Sequence, residues 1–436
     1  VDAEGRVVHI SGVNWFGLET DTFAPQGLWA RGLDSMLDQI AQTGFNTIRL
    51  PYSDQLFDPA SKPNGIDFDK NPDLQGLSGL QIMDQVVQRA GERGLKVILD
   101  RHRPTAAAQT ELWYTAGISE QRWIDDWVML ANRYRGNPTV IGADLHNEPH
   151  GAATWGDGNP STDWRAAAER AGNAVLQANP DWLIFVEGIE HQADDWYWWG
   201  GNLSLAAQFP IRLSQPDKLV YEAHDYGPGV NDQKWFHAPD FPSNLPSVWN
   251  AHWAYLKLSG IAVLIGEFGG HSVGSDTEGI WQRSLLSYLQ ANGFDYTYWC
   301  WNPNSSDTGG ILEDDWTTLD PAKLAILQAY QWPLIGSPEP AAAARAIVAA
   351  YQSPTLPPPS GAAAQSNTQA STTSAPPAMV AIGGPFDPDP THALLGVGGP
   401  NDPDPAHRAA RQSDEQRYLD QTGVPWPEAV YVTAAR

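Results

Sequence analysis

The sequence predicts an α/β fold, a (β/α)8 or TIM barrel over residues 1–335, followed by a linker and a tail. Strand-like apolar runs alternate with helix-like crossovers eight times, which is the pattern of a closed parallel barrel. Polar side chains follow most of these runs, where a barrel of this class gathers its functional residues. A doubly wound open sheet is the alternative, but no glycine-rich phosphate loop follows the first run.

Each predicted strand is a short apolar run bounded by turn-forming residues, which is typical of a buried parallel strand. Pro149 stands close behind the fourth run and cannot extend a central strand, so we expect the chain to turn there. The predicted strands are Val7–Phe16, Phe45–Pro51, Lys96–His102, Val140–Asn147, Leu183–Gly188, Leu219–Asp225, Ala262–Phe268 and Tyr296–Trp301.

Helix-like segments separate the strands. Gly44 and Gly94 stand just past the ends of two of them, where glycine commonly ends a helix. The crossover after the fifth strand, near Leu203–Phe209, has the weakest pattern. The predicted helices are Leu33–Thr43, Leu80–Arg93, Glu120–Arg135, Trp164–Ala178, Val248–Ser259, Thr277–Asn292 and Ala322–Tyr330.

The composition changes after Trp332. Residues 336–379 are rich in Pro, Ala, Ser and Thr and predict a disordered or semi-rigid linker with one short helix, Ala341–Tyr351. Residues 380–436 form a proline-rich acidic tail, predicted to be disordered, in which a Gly-Gly-Pro-x-Asp-Pro-Asp-Pro motif occurs twice. Its aspartates lack the spacing and the glutamate of an EF-hand, so no metal is predicted there.

Charge and composition exclude several classes of function. A net charge of -25 argues against nucleic acid and anionic membranes as partners, and no apolar run is long enough to span a bilayer. The single cysteine, Cys300, excludes an intrachain disulfide and is expected to be a buried, inert thiol. The 20 tryptophans predict either a large aromatic core or stacking against sugar rings.

Two glutamates follow apolar strands directly. Glu148 ends the run Val140–Pro149, and Glu267 ends Ala262–Glu267 before a glycine-rich break. Two carboxylates at the ends of parallel strands are the groups that a retaining glycosidase uses, one as general acid/base and one as nucleophile. Glu148 is the better acid/base, because Asn147 beside it can bind a sugar hydroxyl. Glu267 is the better nucleophile.

Partners for the two glutamates come from the other strand ends. Arg49 and Tyr226 would keep Glu267 ionised. His102 is expected to bind substrate, and His224 shares a strand face with Tyr226. Structural alternatives remain: Glu148 at a helix N-terminus, Glu267 paired with a core arginine, and His224 as a core histidine. Around His102, Asp100 and the neighbouring arginines would then form ion pairs at the barrel rim. Asp144 and Glu187 are interpreted as structural.

The sequence gives little support to metal-dependent or serine hydrolase chemistry. His146 and His150 flank Glu148, but this run stands at a strand-to-loop break, so it lacks the one-face geometry of a helical zinc site. No Gly-x-Ser-x-Gly elbow is present, which argues against a serine hydrolase. The sequence therefore predicts no metal and no cofactor.

These residues resemble glycoside hydrolase family 5, and among its members the bacterial secreted endo-β-1,4-glucanases. The similarity extends over nearly all of residues 1–335. An Asn-Glu-Pro triplet alone is weak, whereas the ordered set of motifs is specific. The matching motifs are Gly12–Gly17, Asn46–Pro51, Leu99–Pro104, Asn147–Pro149, His224–Tyr226, Gly266–Gly269 and Trp299–Pro303.

The resemblance implies retaining hydrolysis of cellulose-like β-1,4-glucan by a secreted enzyme, expected to be monomeric. It assigns Glu148 as acid/base and Glu267 as nucleophile. It also implies a stacking tryptophan at Trp299, with Trp301 as the fallback, and cleft tryptophans at Trp29 and Trp235. The residues that it places around the sugar at the cleavage point are Arg49, His102, Asn147, His224 and Tyr226.

The chain departs from the family in three respects. The family's short segment before the first strand and its signal peptide are not seen, close relatives contain disulfides, and the tail lacks the features of a typical cellulose-binding module. The same mechanism on mannan or xyloglucan is the first alternative, because one fold hosts several substrates. A non-catalytic carbohydrate-binding barrel is the second.

Overall fold

The computed structural model describes residues 6–336. The predicted helix Ala341–Tyr351, the tail 380–436 with its repeated motif, and all but the first residue of the predicted linker 336–379 lie outside the described residues. Within residues 6–336, no helix is both long enough and apolar enough to cross a bilayer.

Eight parallel strands close into a barrel, which confirms the predicted fold class. Around the barrel the strands follow the order β1-β10-β9-β8-β5-β4-β3-β2, and a two-stranded hairpin, β6–β7, stands outside it. The strands are β1 Ser11–Asn14, β2 Thr47–Ser53, β3 Lys96–Arg103, β4 Val140–Asp144, β5 Leu183–Glu187, β6 His191–Gln192, β7 Asp195–Trp196, β8 Leu219–His224, β9 Val263–Glu267 and β10 Asp295–Tyr298.

Five of the helices named below begin where a side chain caps the first turn. Ser78 and Gln81 form a reciprocal capping box at the start of the second helix, and Asp163 and Asp276 cap two others. The helices are α1 Leu33–Gln42, α2 Gly79–Glu92, α3 Glu120–Arg133, α4 Trp164–Ala178, α5 Leu245–Trp249, α6 Tyr255–Leu258, α7 Thr277–Asn292 and α8 Pro321–Gln328. A π-helical turn, Asn250–Ala254, joins α5 to α6.

The crossover after β5, which has the weakest helical pattern in the sequence, forms no helix at residues 203–209. This segment forms turns, and two of its backbone N–H groups bond to residues far along the chain. The Leu203 N–H donates to the His252 carbonyl at 3.0 Å, and the Ala207 N–H donates to the Tyr255 hydroxyl at 3.2 Å. The hairpin occupies the start of this crossover and replaces a helix there.

The barrel interior changes character along its axis. Near the N-terminal ends of the strands, Ile98, Phe185 and Leu264 form a small buried cluster with Ile10. Side chains alternate between the two faces of a strand, so the residue two positions further along also points inward. On β3 and β5 these next inward residues are Asp100 and Glu187. The interior therefore passes from an apolar layer to an ionisable layer toward the carboxyl ends of the strands.

Candidate active site

Arg49 lies at the centre of the ionisable layer and is fully buried. Its Nη1 donates to Glu267 Oε1 at 2.6 Å and to Asn14 Oδ1 at 3.0 Å. Its Nη2 donates to Asn147 Oδ1 at 3.0 Å, and its Nε donates to Asp144 Oδ2 at 2.9 Å. One guanidinium thus fixes four side chains from three other segments of the chain, as its rigid fork of donors allows.

Further carboxylates surround the same guanidinium. Asp100 lies 3.0 Å from it, and Glu187 and Glu222 each lie 3.2 Å away. Burial raises the pKa of Asp100 and Asp144 to about 7. Burial, with repulsion from Asp144, raises the pKa of Glu187 and Glu222 well above the ordinary value. One positive charge cannot offset this many buried negative charges, so part of the layer is protonated at neutral pH.

Glu267 is the last residue of β9, and its side chain is held by two donors. Tyr226 donates its hydroxyl to Oε2 at 2.6 Å, and Arg49 bonds the other oxygen. Gly266 precedes it, and a Cβ there would lie 1.6 Å from Glu222 Oε1. Only glycine therefore fits at this position. Both oxygens of the Glu267 carboxyl group therefore accept a hydrogen bond that fixes its orientation.

Glu148 lies beyond the end of β4 in the left-handed backbone region, with a φ of 52°. Its backbone N–H donates to Glu187 Oε2 at 2.8 Å. Its own carboxyl contacts His224 Nδ1 at 2.9 Å and accepts from the Gln109 amide at 2.9 Å. Gly200 packs against this segment, and a Cβ on it would lie 3.2 Å from the Glu148 Cα. No helix begins at Glu148, so the helix-terminus interpretation is wrong.

The surroundings of Glu148 favour its neutral form. Burial raises the pKa of Glu148 to about 7, against the opposing effects of the Gln109 hydrogen bond and of His150 and Arg49. Burial also lowers the pKa of His224 to about 3, so that imidazole is neutral near pH 7. The carboxyl therefore has a neutral amide and a neutral ring as its direct partners, and no cationic side chain among residues 6–336 bonds it.

The two glutamates face each other across His224. Its Nδ1 lies 2.9 Å from Glu148 Oε1 and 3.6 Å from Glu267 Oε2. This nitrogen and one oxygen of each carboxylate all lie within 4.8 Å of one another. Two oxygens within 4.8 Å of each other are compatible with the about 5–5.5 Å between the carboxyl groups of a retaining glycosidase.

An aromatic surface borders the carboxylates. The Trp299 ring stacks on His102 and on Phe16, with ring centroids 5.5 Å apart in both cases, and its Nε1 donates to Ser305 Oγ at 3.1 Å. His102 is oriented by Asp100, whose Oδ2 lies 2.7 Å from its Nδ1. Trp301 is fully buried in the core. It offers no face to a sugar, so the prediction of Trp301 as the fallback stacking residue is wrong.

The remaining predicted residues divide into two groups. Asn147 is buried beside Glu148, and its Nδ2 has no partner among the described residues, which leaves an amide donor for a ligand. Trp29 is 39 % exposed but packs edge-on against Trp316, outside the carboxylate cluster. Trp235 is 7 % exposed and is covered by neighbouring aromatic rings, including Trp198.

Sequence reasoning missed three residues that contact the Glu148 segment. Gln109 bonds its carboxyl directly. The His150 ring lies 2.7 Å from the Glu148 carbonyl oxygen and stacks on Trp199, which is 41 % exposed. The signal for Trp199 was the dense aromatic run 196–199 in a crossover without helical pattern. Gln109 carries no such signal, because it lies in an irregular loop.

The flanking histidines do not form a metal site. His146 is buried against the Arg101 guanidinium at 2.9 Å, whereas His150 stacks on Trp199. The two rings are therefore engaged in separate environments.

Comparison with known proteins defines the class of protein to which this site belongs. Residues 1–305 match the family model described as cellulase (glycosyl hydrolase family 5). The chain belongs to glycosyl hydrolase family 5, and the predicted family and barrel are confirmed.

Individual relatives refine this assignment. The chain is 55 % identical to an endoglucanase from Paenibacillus polymyxa over 349 residues, covering 79 % of this chain and 88 % of that protein. It is 44 % identical to the major extracellular endoglucanase of Xanthomonas campestris pv. campestris over 78 % of this chain and 71 % of that protein.

Solved structures give the same picture. The catalytic domain of the Xanthomonas enzyme superposes with a TM-score of 0.73 at 44 % identity, covering 76 % of this chain and 97 % of that chain. An endocellulase from Pyrococcus horikoshii, solved as a variant in complex with cellotetraose, superposes with a TM-score of 0.72 at 45 % identity. That comparison covers 74 % of this chain and 93 % of that chain.

Proposed function

We propose that this protein is an endo-acting β-1,4-glucanase that hydrolyses cellulose-like glucans with retention of configuration. One observation supports this most strongly. One oxygen of Glu148 and one oxygen of Glu267 lie within 4.8 Å of each other. Burial raises the pKa of Glu148 to about 7, whereas Glu267 accepts hydrogen bonds from Arg49 and Tyr226. An acid and a nucleophile at this spacing are the two groups that double displacement requires.

The first step joins the sugar to the protein. The Glu267 carboxylate, held by Arg49 and Tyr226, attacks the anomeric carbon, while the Glu148 carboxyl gives its proton to the glycosidic oxygen. The bond to the leaving sugar breaks as the ester bond to Glu267 forms. The Glu148 pKa of about 7 keeps this proton available at neutral and mildly acidic pH.

The second step releases the sugar. Esterification removes the negative charge of Glu267, and a neighbouring negative charge is one of the factors that hold a proton on a carboxyl group. Glu148, now deprotonated, takes a proton from water, whose oxygen attacks the anomeric carbon and displaces Glu267. Glu148 is then protonated and Glu267 is ionised again, as before the first step.

Substrate-binding roles follow the positions of the neighbouring groups. The free amide of Asn147 donates to a hydroxyl of the sugar next to Glu267, and His102 and Trp299 line the same sugar with a polar edge and an apolar face. Arg49 and His224 act through the carboxylates that they contact. Trp199 stacks on the leaving sugar beside Glu148. Trp29 and Trp235 are proposed as outer cleft residues.

The substrate class rests on the relatives. The proteins at 55 % and 44 % identity are named endoglucanases, and the Pyrococcus complex contains cellotetraose. The Xanthomonas protein is named as extracellular, so we infer secretion for this protein as well. Its charge of -25 is compatible with a neutral polysaccharide partner.

The test is release of reducing ends from a soluble β-1,4-glucan, measured beside β-mannan, xyloglucan and xylan. Strong release from the glucan is expected, with much weaker release from the others. Preference for mannan or xyloglucan would keep the mechanism and replace the substrate class. Binding without release from any polymer would favour the non-catalytic barrel and overturn the proposal.

A further inference from the structure

Two exposed tryptophans stand in the aromatic run 196–199. Trp196 is 52 % exposed and Trp199 is 41 % exposed, while the residues between them are buried. Each exposed ring is backed by a histidine. Trp199 stacks on His150 at 3.7 Å between ring centroids, and Trp196 stacks on His191 at 4.2 Å. Each indole therefore has one face covered by protein and the other face available to a ligand.

Both pairs are attached to the loop that carries Glu148. The His150 Nδ1 lies 2.7 Å from the Glu148 carbonyl oxygen. One residue further along, the Gly151 carbonyl lies 3.2 Å from His191 Nε2, and the Gly151 N–H donates to Glu190 Oε2 at 2.9 Å. A continuous series of contacts thus runs from Glu148 through the Trp199 pair to the Trp196 pair.

The Trp196 pair is held rigidly. His191 and Trp196 are directly opposite each other in the β6–β7 hairpin. Asp195 fixes the hairpin from the barrel side, because its carboxylate lies 3.3 Å from His252 Nε2 and its carbonyl accepts from Asn202 Nδ2 at 3.1 Å. A ring held in this way loses little conformational freedom when it binds a ligand.

The position of the pair identifies the half of the substrate that it faces. The Trp299 surface, with His102 and Phe16, lies at the carboxyl ends of β1, β3 and β10, on the other side of the carboxylates. Among the described residues, no ring contact or hydrogen bond joins His150 or His191 to Glu267 or Trp299. The series of contacts leads outward from the proposed acid alone, and that acid protonates the oxygen of the leaving sugar.

We propose that the His191–Trp196 pair is a distal sugar-binding platform on the leaving-group side, beyond Trp199, which binds a further glucose unit of long chains. This inference rests on the proposed function. It predicts that the platform contributes only when the leaving portion of the substrate is several sugars long.

The experiment compares Trp196→Ala with the wild type on two substrates. On reducing-end-labelled cellohexaose, kcat/KM falls about 3- to 10-fold, the range expected for one lost ring contact. Cleavage also moves toward the reducing end, because fewer sugars are then held on the leaving side. On an aryl cellotrioside, whose leaving group is a single ring, kcat/KM stays unchanged.

Two further variants serve as controls. Trp196→Phe keeps an aromatic face and retains most of the activity on cellohexaose. Trp332→Ala removes a ring that stacks on His9 in the same way, at 4.1 Å, at the opposite end of the barrel, and it leaves both substrates unaffected. Circular dichroism confirms that each variant is folded.

The outcomes separate this inference from the proposed function. Unchanged kinetics of Trp196→Ala on cellohexaose would overturn the platform and leave the glucanase standing. An equal loss on both substrates would also overturn it, because it would assign Trp196 to shaping the Glu148 loop. A wild-type protein that cleaves neither substrate would overturn both.

Discussion

Glu148 and Glu267 are the same residue type near the ends of two barrel strands, yet they have opposite surroundings. Glu267 belongs to a strand and accepts hydrogen bonds from a guanidinium and a phenol. Glu148 lies in an irregular loop and contacts an amide and a neutral imidazole. Burial disfavours the charge on Glu148, which contacts no cationic side chain among the described residues, whereas Glu267 contacts Arg49 directly. The direct partners thus distinguish the two carboxyl groups.

The largest expected effect is at Glu267. Replacing it with Gln or Ala removes the nucleophile, so glucan turnover should fall by about 10⁴- to 10⁶-fold while glucan binding persists. Hydrolysis and binding by affinity electrophoresis would be measured together. Glu222→Gln is the matched control, because it changes a carboxyl group that contacts the same guanidinium. Burial and repulsion from Asp144 raise the pKa of Glu222 well above its ordinary value, so the neutral amide should be tolerated there and most of the activity retained. Near-wild-type turnover of Glu267→Ala would exclude this nucleophile.

A smaller loss is expected at Glu148. In Glu148→Gln no proton is available for the leaving oxygen, so glucan hydrolysis should fall by about 10²- to 10⁴-fold. A dinitrophenyl cellobioside needs no such proton, so its first step should stay fast. A burst of one dinitrophenol per active site, with a glycosyl group on Glu267 found by mass spectrometry, would be the result. Equal losses on both substrates would contradict the assigned role.

Removing one donor from Glu267 should have a more moderate effect. Tyr226→Phe deletes the hydrogen bond at 2.6 Å and should lower kcat by about 10- to 10²-fold, since a hydrogen bond to a charged group contributes about 1.5–3 kcal/mol. Tyr298→Phe is the control, because that hydroxyl bonds Gln282, away from both glutamates. Identical kinetics of the two variants would show that Tyr226 does not support the nucleophile.

The smallest expected effect concerns stability and pH. The pKa of Glu148 is about 7 in the folded protein, above its ordinary 4.5, so its contribution to stability is full below pH 4.5 and is lost as the pH rises through 7. Glu148→Gln cannot ionise. It should exceed the wild type in unfolding free energy by about 1–3 kcal/mol at pH 8 and match it near pH 4.

Thermal melts over this pH range test that difference, and the wild-type rate offers a second readout. Because the proposed acid must be protonated, kcat/KM should decline on the alkaline side through a pKa near 7. A stability difference that is independent of pH would mean that Glu148 ionises as freely in the folded protein as in the unfolded one.

The sequence was sufficient for the barrel and for the glutamate pair, because both follow from apolar runs that stop at a charged residue. The ionisable layer could also be predicted from the sequence. Asp100 stands two positions after Ile98 and Glu187 two after Phe185, so strand alternation places them inward. To predict that each of these carboxyl groups contacts Arg49, one must know the register between the strands, which a single sequence does not specify.

Other features were beyond the sequence for physical reasons. Strand alternation would place Trp299 and Trp301 on the same face. Because β10 ends at Tyr298, the path of the chain beyond the strand decides that Trp299 is partly exposed and Trp301 buried. The crossover after β5 is governed by contacts with residues 252 and 255, far along the chain. Periodicity within the segment itself carries no information about such partners.

The contacts of Arg49 also couple the stability of the barrel to the geometry of the site. Arg49 stands on β2 and contacts side chains from β1, β3, β4, β5, β8 and β9, which leaves β10 as the one barrel strand that it does not reach directly. The guanidinium of Arg49, which orients Glu267, therefore also links the strands of the barrel around it. Loss of this side chain would leave Glu267 without one of its two donors and several buried carboxyl groups without their shared cation, so we expect activity and stability to fall together.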